Sequence, residues 1–314
     1  MPCFVKAIKV DYSTNFEERN VLENGMPYTS GSLEIDTSSE YYPGRSDLKI
    51  MRSDTISAVK NTCELLSHLP EEKREKLNLY VASGVFIENV ESHMGHLLRA
   101  FENIRDTKDE SEKLKKLYRA SPPLLALQTL TNSTMSFVAQ YSGVKGDNAT
   151  YGNTSKSGFT AIESACKKVI YDREDSLAVA SNTAGDYSYM VHSSVIGAKD
   201  GWKESASSSA ILLDSNKENS LCEITTTVNF ENIKECDALF ISGSFNQEDE
   251  VELKKEFSNQ KTFSIFDLFG NLGPVNLFAS IEKGIELLDQ GKKSIAILDR
   301  DIYGKLSIIK IQKS

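Results

Sequence analysis

The feature that most constrains this chain is a regular alternation of short apolar runs with longer segments of helical periodicity. The runs are rich in β-branched and aromatic residues and are bounded by polar segments, which is typical of strands. We predict strands over 77–83, 177–181, 209–213, 238–241, 262–266, 294–298 and 306–311. We predict helices over 54–69, 90–104, 111–118, 123–141, 159–171, 249–257 and 275–288. This alternation favours an α/β class whose strands are mostly buried.

Composition excludes several classes of protein. The 314 residues include 26% charged and 39% hydrophobic side chains, which are ordinary globular values. No apolar run reaches the roughly 18 residues that cross a bilayer, and the first residues do not resemble a secretory signal. The net charge of −9 argues against binding to nucleic acid. It also argues against affinity of the whole surface for an acidic protein, but it leaves room for a local basic patch.

The five cysteines form no CxxC pair, and we interpret them as free thiols. They are Cys3, Cys63, Cys166, Cys222 and Cys236. We therefore expect a protein of the reducing cytoplasm. His93 and His96 lie three residues apart on a predicted helix, but no other His or Cys clusters with them. This favours a surface pair over a metal site, and we expect neither a metal nor a cofactor.

Two parts of the sequence resemble each other weakly. A strand ending in Ser-Gly-x-Phe occurs at 80–86 and again at 240–245. Later in each part a glycine, Gly158 or Gly273, opens a predicted helix that leads into a strand. No linker rich in Pro, Gly or Ser separates the parts. We therefore expect a single unit over 1–314 with two similar halves, approximately 1–200 and 201–314. Chance similarity of short α/β segments is the alternative.

The most informative run is 143–165, which reads GVKGDNATYGNTSKSGFTAIESA. It resembles the nucleophile region of the β-ketoacyl synthases, in which Gly-Leu-x-Gly-Pro leads through a short strand to Thr-Ala-Cys-Ala-Ser-Gly. The match has no gap and places Ser155 where the family carries its catalytic cysteine. The resemblance extends from about residue 50 to the C-terminus. It implies the thiolase-like fold, with two similar α/β halves packed as a layered α-β-α-β-α core.

A nucleophile at a strand-to-helix turn benefits from the helix dipole and from nearby backbone N–H groups. Serine benefits much less than cysteine, because its hydroxyl stays protonated near neutral pH and needs an adjacent base. Serine is also a common residue at the start of a helix. We therefore favour Ser155 as a helix-starting residue that marks a vestigial site. His192 is a remote candidate for a base.

The segments on either side extend the resemblance. Residues 121–138 resemble the helix that such synthases place at their dimer interface. By this resemblance Asn132 matches a family asparagine, and Leu125, Leu127, Gln128 and Thr129 fall where residues approach the acyl tunnel. A purely structural helix is the alternative for any one of these side chains.

Downstream, residues 200–213 resemble Asp-Gly-Phe-x-x-Gly-Glu-Gly-Ala-Gly followed by an apolar strand. The aromatic residue and the strand are kept, but the family glutamate aligns with Ala206. We therefore expect the buried carboxylate of that motif to be absent from this chain.

Condensing members of the family use two histidines, or a histidine and an asparagine, to donate to the thioester carbonyl and stabilise the enolate. The first of these positions is Ser242 here. The second is Gly270, or Asn271 if one gap is allowed. The four histidines are His68, His93, His96 and His192. Because no histidine follows residue 192, we expect no intact catalytic set, with Ser155, Ser242 and Asn271 as degenerate positions.

These features predict a non-condensing subunit similar to the chain length factors. Such a subunit pairs with an active β-ketoacyl synthase in type II polyketide, aryl polyene or fatty acid synthesis, stabilises it and shapes its acyl tunnel. The resemblance implies a heterodimer, with an acyl carrier protein as an indirect partner and no independent activity. One alternative is a Ser155-dependent acyltransferase or hydrolase of thioesters. A second is a homodimeric scaffold without acyl contact.

Overall fold

The computed structural model describes residues 2–19, 27–84, 90–120, 130, 132–152, 155–197, 201–226 and 229–314. The strands are β1 (Cys3–Tyr12), β2 (Asn15–Arg19), β3 (Tyr28–Ser32), β4 (Asn78–Ser83), β5 (Asn148–Gly152), β6 (Ser176–Asn182), β7 (Lys203–Ser205), β8 (Ser207–Asp214), β9 (Cys222–Thr225), β10 (Ala238–Gly243), β11 (Lys261–Ser264), β12 (Ser294–Arg300) and β13 (Leu306–Gln312). The α-helices are α1 (Ser53–Leu66), α2 (Glu71–Arg74), α3 (Val90–Ile104), α4 (Glu110–Ala120), α5 (Ser133–Ser142), α6 (Ser155–Lys167), α7 (Asp186–Ile196), α8 (Gln247–Glu256), α9 (Ile265–Phe269) and α10 (Asn276–Asp289). Short 3-10 helices cover Asp47–Lys49, Phe230–Glu235 and Gly273–Val275, and a π-helical turn, Lys168–Asp172, follows α6.

Ten of the strands form one sheet, which consists of two sets of five with the same order. From its outer strand, the first set runs β5-β4-β6-β8-β1 and the second runs β11-β10-β12-β13-β9. In each set the first three strands are parallel and the remaining pairings are antiparallel. The sets meet where β1 pairs with β9. This repetition confirms the prediction of two similar halves. Strand β8, which follows residue 200 in the sequence, belongs to the first set by strand order. The description of the chain as a single unit with halves divided near residue 200 stays a prediction.

Away from the pairing of β1 with β9, the two sets of strands are separated by helices. Helices α6 and α10 lie between them and supply apolar side chains to the largest core cluster. Helices α1 and α5 cover the outer face of the first set, and α8 covers the outer face of the second. The layers therefore follow the predicted order α-β-α-β-α, and the predicted fold class is confirmed.

Burial on both faces explains the continuous apolar runs of the central strands. Every residue of β6 is buried. Helix α10 buries Leu277, Ile281 and Ile285 along one stripe, as a core-facing helix must. Gly158 lets α6 approach the 3-10 helix Gly273–Val275 closely, because a Cβ at this position would lie 2.1 Å from the carbonyl oxygen of Pro274.

The predicted elements recur with small shifts in their bounds. The predicted strand 262–266 ends at Ser264, where helix α9 begins. The predicted helix 123–141 is seen from Ser133 onward, and residues 121–129 lie outside the described part of the chain. Helices α2, α7 and α9 and strands β1, β2, β3, β7 and β9 were not predicted. None of the described helices has both the length and the apolar character that a bilayer span requires.

Candidate functional site

Two of the three positions predicted to be degenerate, Ser155 and Ser242, lie where α6 meets the carboxyl ends of β10 and β12. Ser155 is the first residue of α6 and is 3% exposed. Its Oγ donates to the carbonyl oxygen of Arg300 over 3.2 Å. The backbone N–H of Ser244 donates to the same oxygen at 2.7 Å. The fold thus joins the predicted nucleophile position to the second half of the chain.

Ser242 lies beside this helix terminus, opposite Asp299 in the ladder between β10 and β12. The Ser242 Oγ donates to Asp299 Oδ1 over 3.0 Å, and both side chains are buried. Gly243 has a φ of +83°, and a Cβ there would lie 2.6 Å from the same Oδ1. A side chain at residue 243 is therefore excluded by both backbone conformation and space.

Asp299 is the one member of this group that the sequence analysis did not anticipate. Burial raises its pKa to about 6, and the hydrogen bond from Ser242 limits the rise. Its Oδ2 has no hydrogen-bond partner among the described residues. The sequence feature that could have identified Asp299 is a carboxylate near the end of an apolar strand. Burial of a charge there is costly, so such a residue is a candidate for a functional site.

Asn271 belongs to a second polar group. Its Nδ2 donates to both carboxylate oxygens of Glu204, each at 3.1 Å, and its Oδ1 accepts from the N–H of Gly273 at 3.1 Å. Its backbone N–H donates to Lys203 and its carbonyl accepts from Ser205. The Asn271 side chain is therefore held on both sides by groups of the protein itself.

Glu204 corrects one expectation of the sequence analysis. The motif carboxylate was expected to be missing because the family glutamate aligned with Ala206. A fully buried carboxylate, Glu204, lies two residues earlier. Besides Asn271, it accepts from Trp202 Nε1 at 2.7 Å and from Ser188 Oγ at 2.8 Å. Residues two apart in an extended chain face the same side. Glu204 can therefore take the place of a carboxylate at residue 206, and an ungapped comparison of the motif overlooks it. Burial raises the pKa of Glu204, and His192 and the three donors oppose this rise.

His192 lies with this second group, and in the described part of the chain it does not hydrogen-bond to Ser155. Its Nδ1 lies 2.8 Å from the carbonyl oxygen of Ser188 and 3.3 Å from Asn271 Nδ2. The fold thus brings an imidazole from the first half to the Asn271 position, although the sequence places none after residue 192. Sequence order alone gave no signal of this approach.

The remaining predicted positions are less informative. Leu125, Leu127, Gln128 and Thr129 lie outside the described residues. Asn132 is exposed directly before α5, and its side chain makes no capping hydrogen bond. Across the part of the chain that the structure describes, no group of His, Cys, Asp or Glu side chains is arranged to hold a metal ion.

Comparison with solved structures identifies the architecture. A chain of the type II polyketide synthase complex AntDE:AntF, in which an acyl carrier protein is bound to its ketosynthase, matches with a TM-score of 0.71 at 14% identity, covering 100% of this chain and 99% of that one. A β-ketoacyl synthase from Burkholderia phymatum STM815 matches with a TM-score of 0.64 at 12% identity, covering 91% and 88%. This chain has the ketosynthase fold.

A further chain with the ketosynthase fold is the PfaC keto synthase–chain length factor, with a TM-score of 0.68 at 13% identity. The match covers 100% of this chain and 43% of that one. At such identities the likeness establishes the fold. No protein-family model matches the sequence, and the comparison with curated proteins finds no relative.

Proposed function

We propose that this chain is a non-condensing, chain-length-factor-like partner subunit of an active β-ketoacyl synthase, in a type II polyketide, aryl polyene or fatty acid pathway. One observation carries the proposal. The polar side chains at all three degenerate positions bond to the protein's own acceptors: Ser155 to Arg300, Ser242 to Asp299 and Asn271 to Glu204. None of them is left as a donor for a substrate carbonyl.

This arrangement bears directly on condensation. Decarboxylation of a malonyl thioester needs donors preorganised toward the thioester carbonyl, where negative charge develops. Asn271 directs its amide N–H groups to Glu204, a buried carboxylate that would be left underbonded if the amide turned away. Ser242 stands in the same relation to Asp299. The energetic cost of releasing either donor favours a supporting role over a condensing one.

The outer strand β5 is suited to pair with a second subunit. It is the last strand at one end of the ten-stranded sheet, and its sequence, Asn-Ala-Thr-Tyr-Gly, carries no charge. An uncharged outer strand that lacks a neighbour is a template for a partner's strand. The family dimer is built across such an edge strand, so a degenerate copy can take the place of one subunit.

A local basic surface would suit an acidic carrier protein held mainly by the partner. Helices α3 and α4 contact each other, and together they expose large apolar side chains. These are Leu98, Phe101, Leu114 and Tyr118. On α4, Lys115 and Arg119 are exposed, and neither forms a salt bridge with another described residue. Lys115 and Arg119 thus place positive charge beside the exposed apolar side chains, although exposed carboxylates such as Glu102 and Asp106 lie on the same helix pair and its turn. The five buried free thiols fit a cytoplasmic location.

The test is co-expression with an intact ketosynthase encoded beside it, read out as a stable heterodimer and as poor solubility of this chain alone.

Thr150 offers a matched pair of variants. The carbonyl oxygen of Asp147 accepts a hydrogen bond from β4. Because successive residues of a strand turn their backbone N–H and C=O groups to opposite sides, the N–H of Thr150 points away from β4. Thr150→Pro removes that donor and should abolish the heterodimer, whereas Thr150→Val keeps the backbone and should retain it. Carbon–carbon bond formation by this chain alone, as an active homodimer, contradicts the proposal.

A further inference from the structure

An open cavity of about 270 Å³, here called the α8 cavity, lies between helix α8 and the turn that joins β12 to β13. Its floor is apolar and is formed by the side chains of Phe245, Leu253, Leu298 and Leu306. Leu306 is 49% exposed, so part of this apolar surface faces solvent. The volume lies below the usual range of sites for small organic ligands, which favours apolar side chains of a protein partner as the occupant.

The wall that α8 contributes to this cavity is acidic. It carries Asp249, Glu252 and Glu256. Asp249 is paired with Arg300, which also lines the cavity. Glu256 Oε1 lies 3.9 Å from Lys234 Nζ, and an exposed pair at this distance contributes little. Glu252 is exposed and forms no salt bridge with another described residue. The apolar floor is thus bordered by carboxylates that a basic partner can pair with.

Helix α4 carries the complementary surface. Leu114 and Tyr118 are 67% and 83% exposed, and their spacing places them on one side of the helix. Lys115 and Arg119 form the neighbouring stripe, are exposed, and pair with no carboxylate among the described residues. The two glutamates of α4 lie in its first turn and pair with lysines of the same helix. The end of α4 is therefore apolar and basic, as the α8 cavity requires of an occupant.

We propose that the end of α4 in one copy of the chain docks in the α8 cavity of a second copy. Leu114 and Tyr118 cover the apolar floor, and the basic stripe lies along α8. The two cations are four residues apart, and so are the two exposed carboxylates of α8, which is about 6 Å along a helix axis. Lys115 and Arg119 can therefore face both carboxylates at once when the two helices lie side by side.

This contact joins two different surfaces, so it is heterologous and can extend from copy to copy. One helix end in a small cavity makes a small, transient interface, and its exposed charges make it sensitive to salt. The inference goes beyond the partner-subunit function and does not depend on it, because β5 and the α8 cavity lie in different sets of strands. An acidic carrier protein on α4 would compete with this contact.

The experiment is sedimentation of the full chain over a range of concentrations at low salt. We expect the mean mass to rise with concentration, and about 0.5 M salt should reverse the rise by screening the exposed charges. Lys115→Glu combined with Arg119→Glu should weaken the association at least about 100-fold, because like charges then face each other. Glu252→Lys combined with Glu256→Lys should do the same. The controls Lys217→Glu and Glu71→Lys, exposed and outside both surfaces, should leave it unchanged.

A mixture of the two double variants is the sharpest arm. Each variant alone brings like charges together, but the acidic α4 of one fits the basic cavity of the other, and the reverse pairing is the natural one. We expect the mixture to associate although neither variant does so alone. A natural chain whose mass is independent of concentration overturns the proposal. So does a mixture that stays dissociated while both variants keep the circular dichroism of the natural chain.

The same series can be run on the heterodimer with a ketosynthase, should the chain be soluble only in that form. The co-expression test reports pairing at β5, and the four charge reversals leave β5 intact. The two tests therefore fail independently.

Discussion

Glu204 and Asp299 are both buried carboxylates, and each touches a position that the family resemblance assigns to catalysis. Glu204 accepts hydrogen bonds from Trp202, Ser188 and Asn271. Asp299 accepts from Ser242 at one oxygen, and the other has no partner among the described residues. The two groups lie on different strands, β7 and β12. Burial raises the pKa of both carboxyls, but only Glu204 is bonded at both oxygens.

This difference separates a carboxylate whose charge is fully bonded from one whose charge is not. A charge whose oxygens are all bonded stabilises the groups around it and is hard to protonate or move. A charge with a free oxygen keeps the capacity to take a proton from a neighbour, at a cost in stability. We infer that Glu204 holds Asn271 in place, whereas the charge of Asp299 carries a cost in stability that depends on pH. Four substitutions test this distinction.

Removal of Glu204 should have the largest effect. Glu204→Ala leaves the Trp202 N–H, the Ser188 hydroxyl and the Asn271 amide without their acceptor in a buried site. Each unsatisfied buried donor costs about 1–3 kcal/mol, so we expect a loss of about 3–5 kcal/mol in the free energy of unfolding, measured with urea. Glu102→Ala on the exposed face of α3 is the control. A loss below about 1 kcal/mol would show that Glu204 is not the organising group.

Replacement of Asp299 should act in the opposite direction. Burial raises the pKa of Asp299 from 3.8 to about 6, so the unfolded chain releases this proton at lower pH than the folded chain does. Stability therefore falls as pH rises from about 4 to about 6, and the penalty stays complete above that range. Asp299→Asn should stabilise the protein by up to about 3 kcal/mol near pH 7.5 and by nothing below about pH 4.

The measurement for Asp299 is the melting temperature at a series of pH values. Asp106→Asn, in the exposed turn between α3 and α4, controls for the change in net charge. A uniform gain at every pH would mean that the substitution improves packing, with no part played by the carboxylate's charge.

Asn271→Ala should have a smaller effect of about 2 kcal/mol. The substitution removes a donor from Glu204 and leaves the N–H of Gly273 without its acceptor. Because the lost donor stabilised the charged form, the pKa of Glu204 should rise further, and the destabilisation should be larger at neutral pH than in acid. Asn132→Ala, at an exposed asparagine without a capping bond, should change stability by less than about 0.5 kcal/mol. Equal losses at all pH values would contradict a link to Glu204.

The sequence predicted the central strands and the layered class because strands buried on both faces are apolar along their whole length. It did not predict β1, whose register shifts between Val5 and Ala7. This irregularity interrupts the alternation that identifies a strand. Helix α7 was missed for a related reason: beside Tyr189 it buries Asp186, Ser188 and His192, so its inward face is largely polar and lacks a continuous apolar stripe.

The site was only half predictable. Ser155, Ser242 and Asn271 stand out by resemblance, because each occupies a recognisable position in a motif. Their partners do not, since Asp299 and Glu204 are brought to them by strand pairing and by a loop that closes over a long sequence separation. A residue's bonding partner is a property of the folded chain, and it decides whether a polar side chain is free to act.

The smallest predicted effect tests whether Ser242 serves Asp299 or the backbone around it. Ser242→Ala removes the donor at Oδ1, so the pKa of Asp299 should rise above about 6 and stability near neutral pH should fall by about 1 kcal/mol. In the Asp299→Asn background the uncharged amide needs that donor less, so the same substitution should cost clearly less, as a double-mutant cycle measured by urea unfolding would reveal. An identical cost in both backgrounds would mean that Ser242 stabilises the surrounding backbone and not the charge of Asp299. In that case the hydrogen bond from Ser242 would not stabilise the charged form of Asp299. Packing of the surrounding residues would then have to explain why Asp299 Oδ2 has no partner among the described residues.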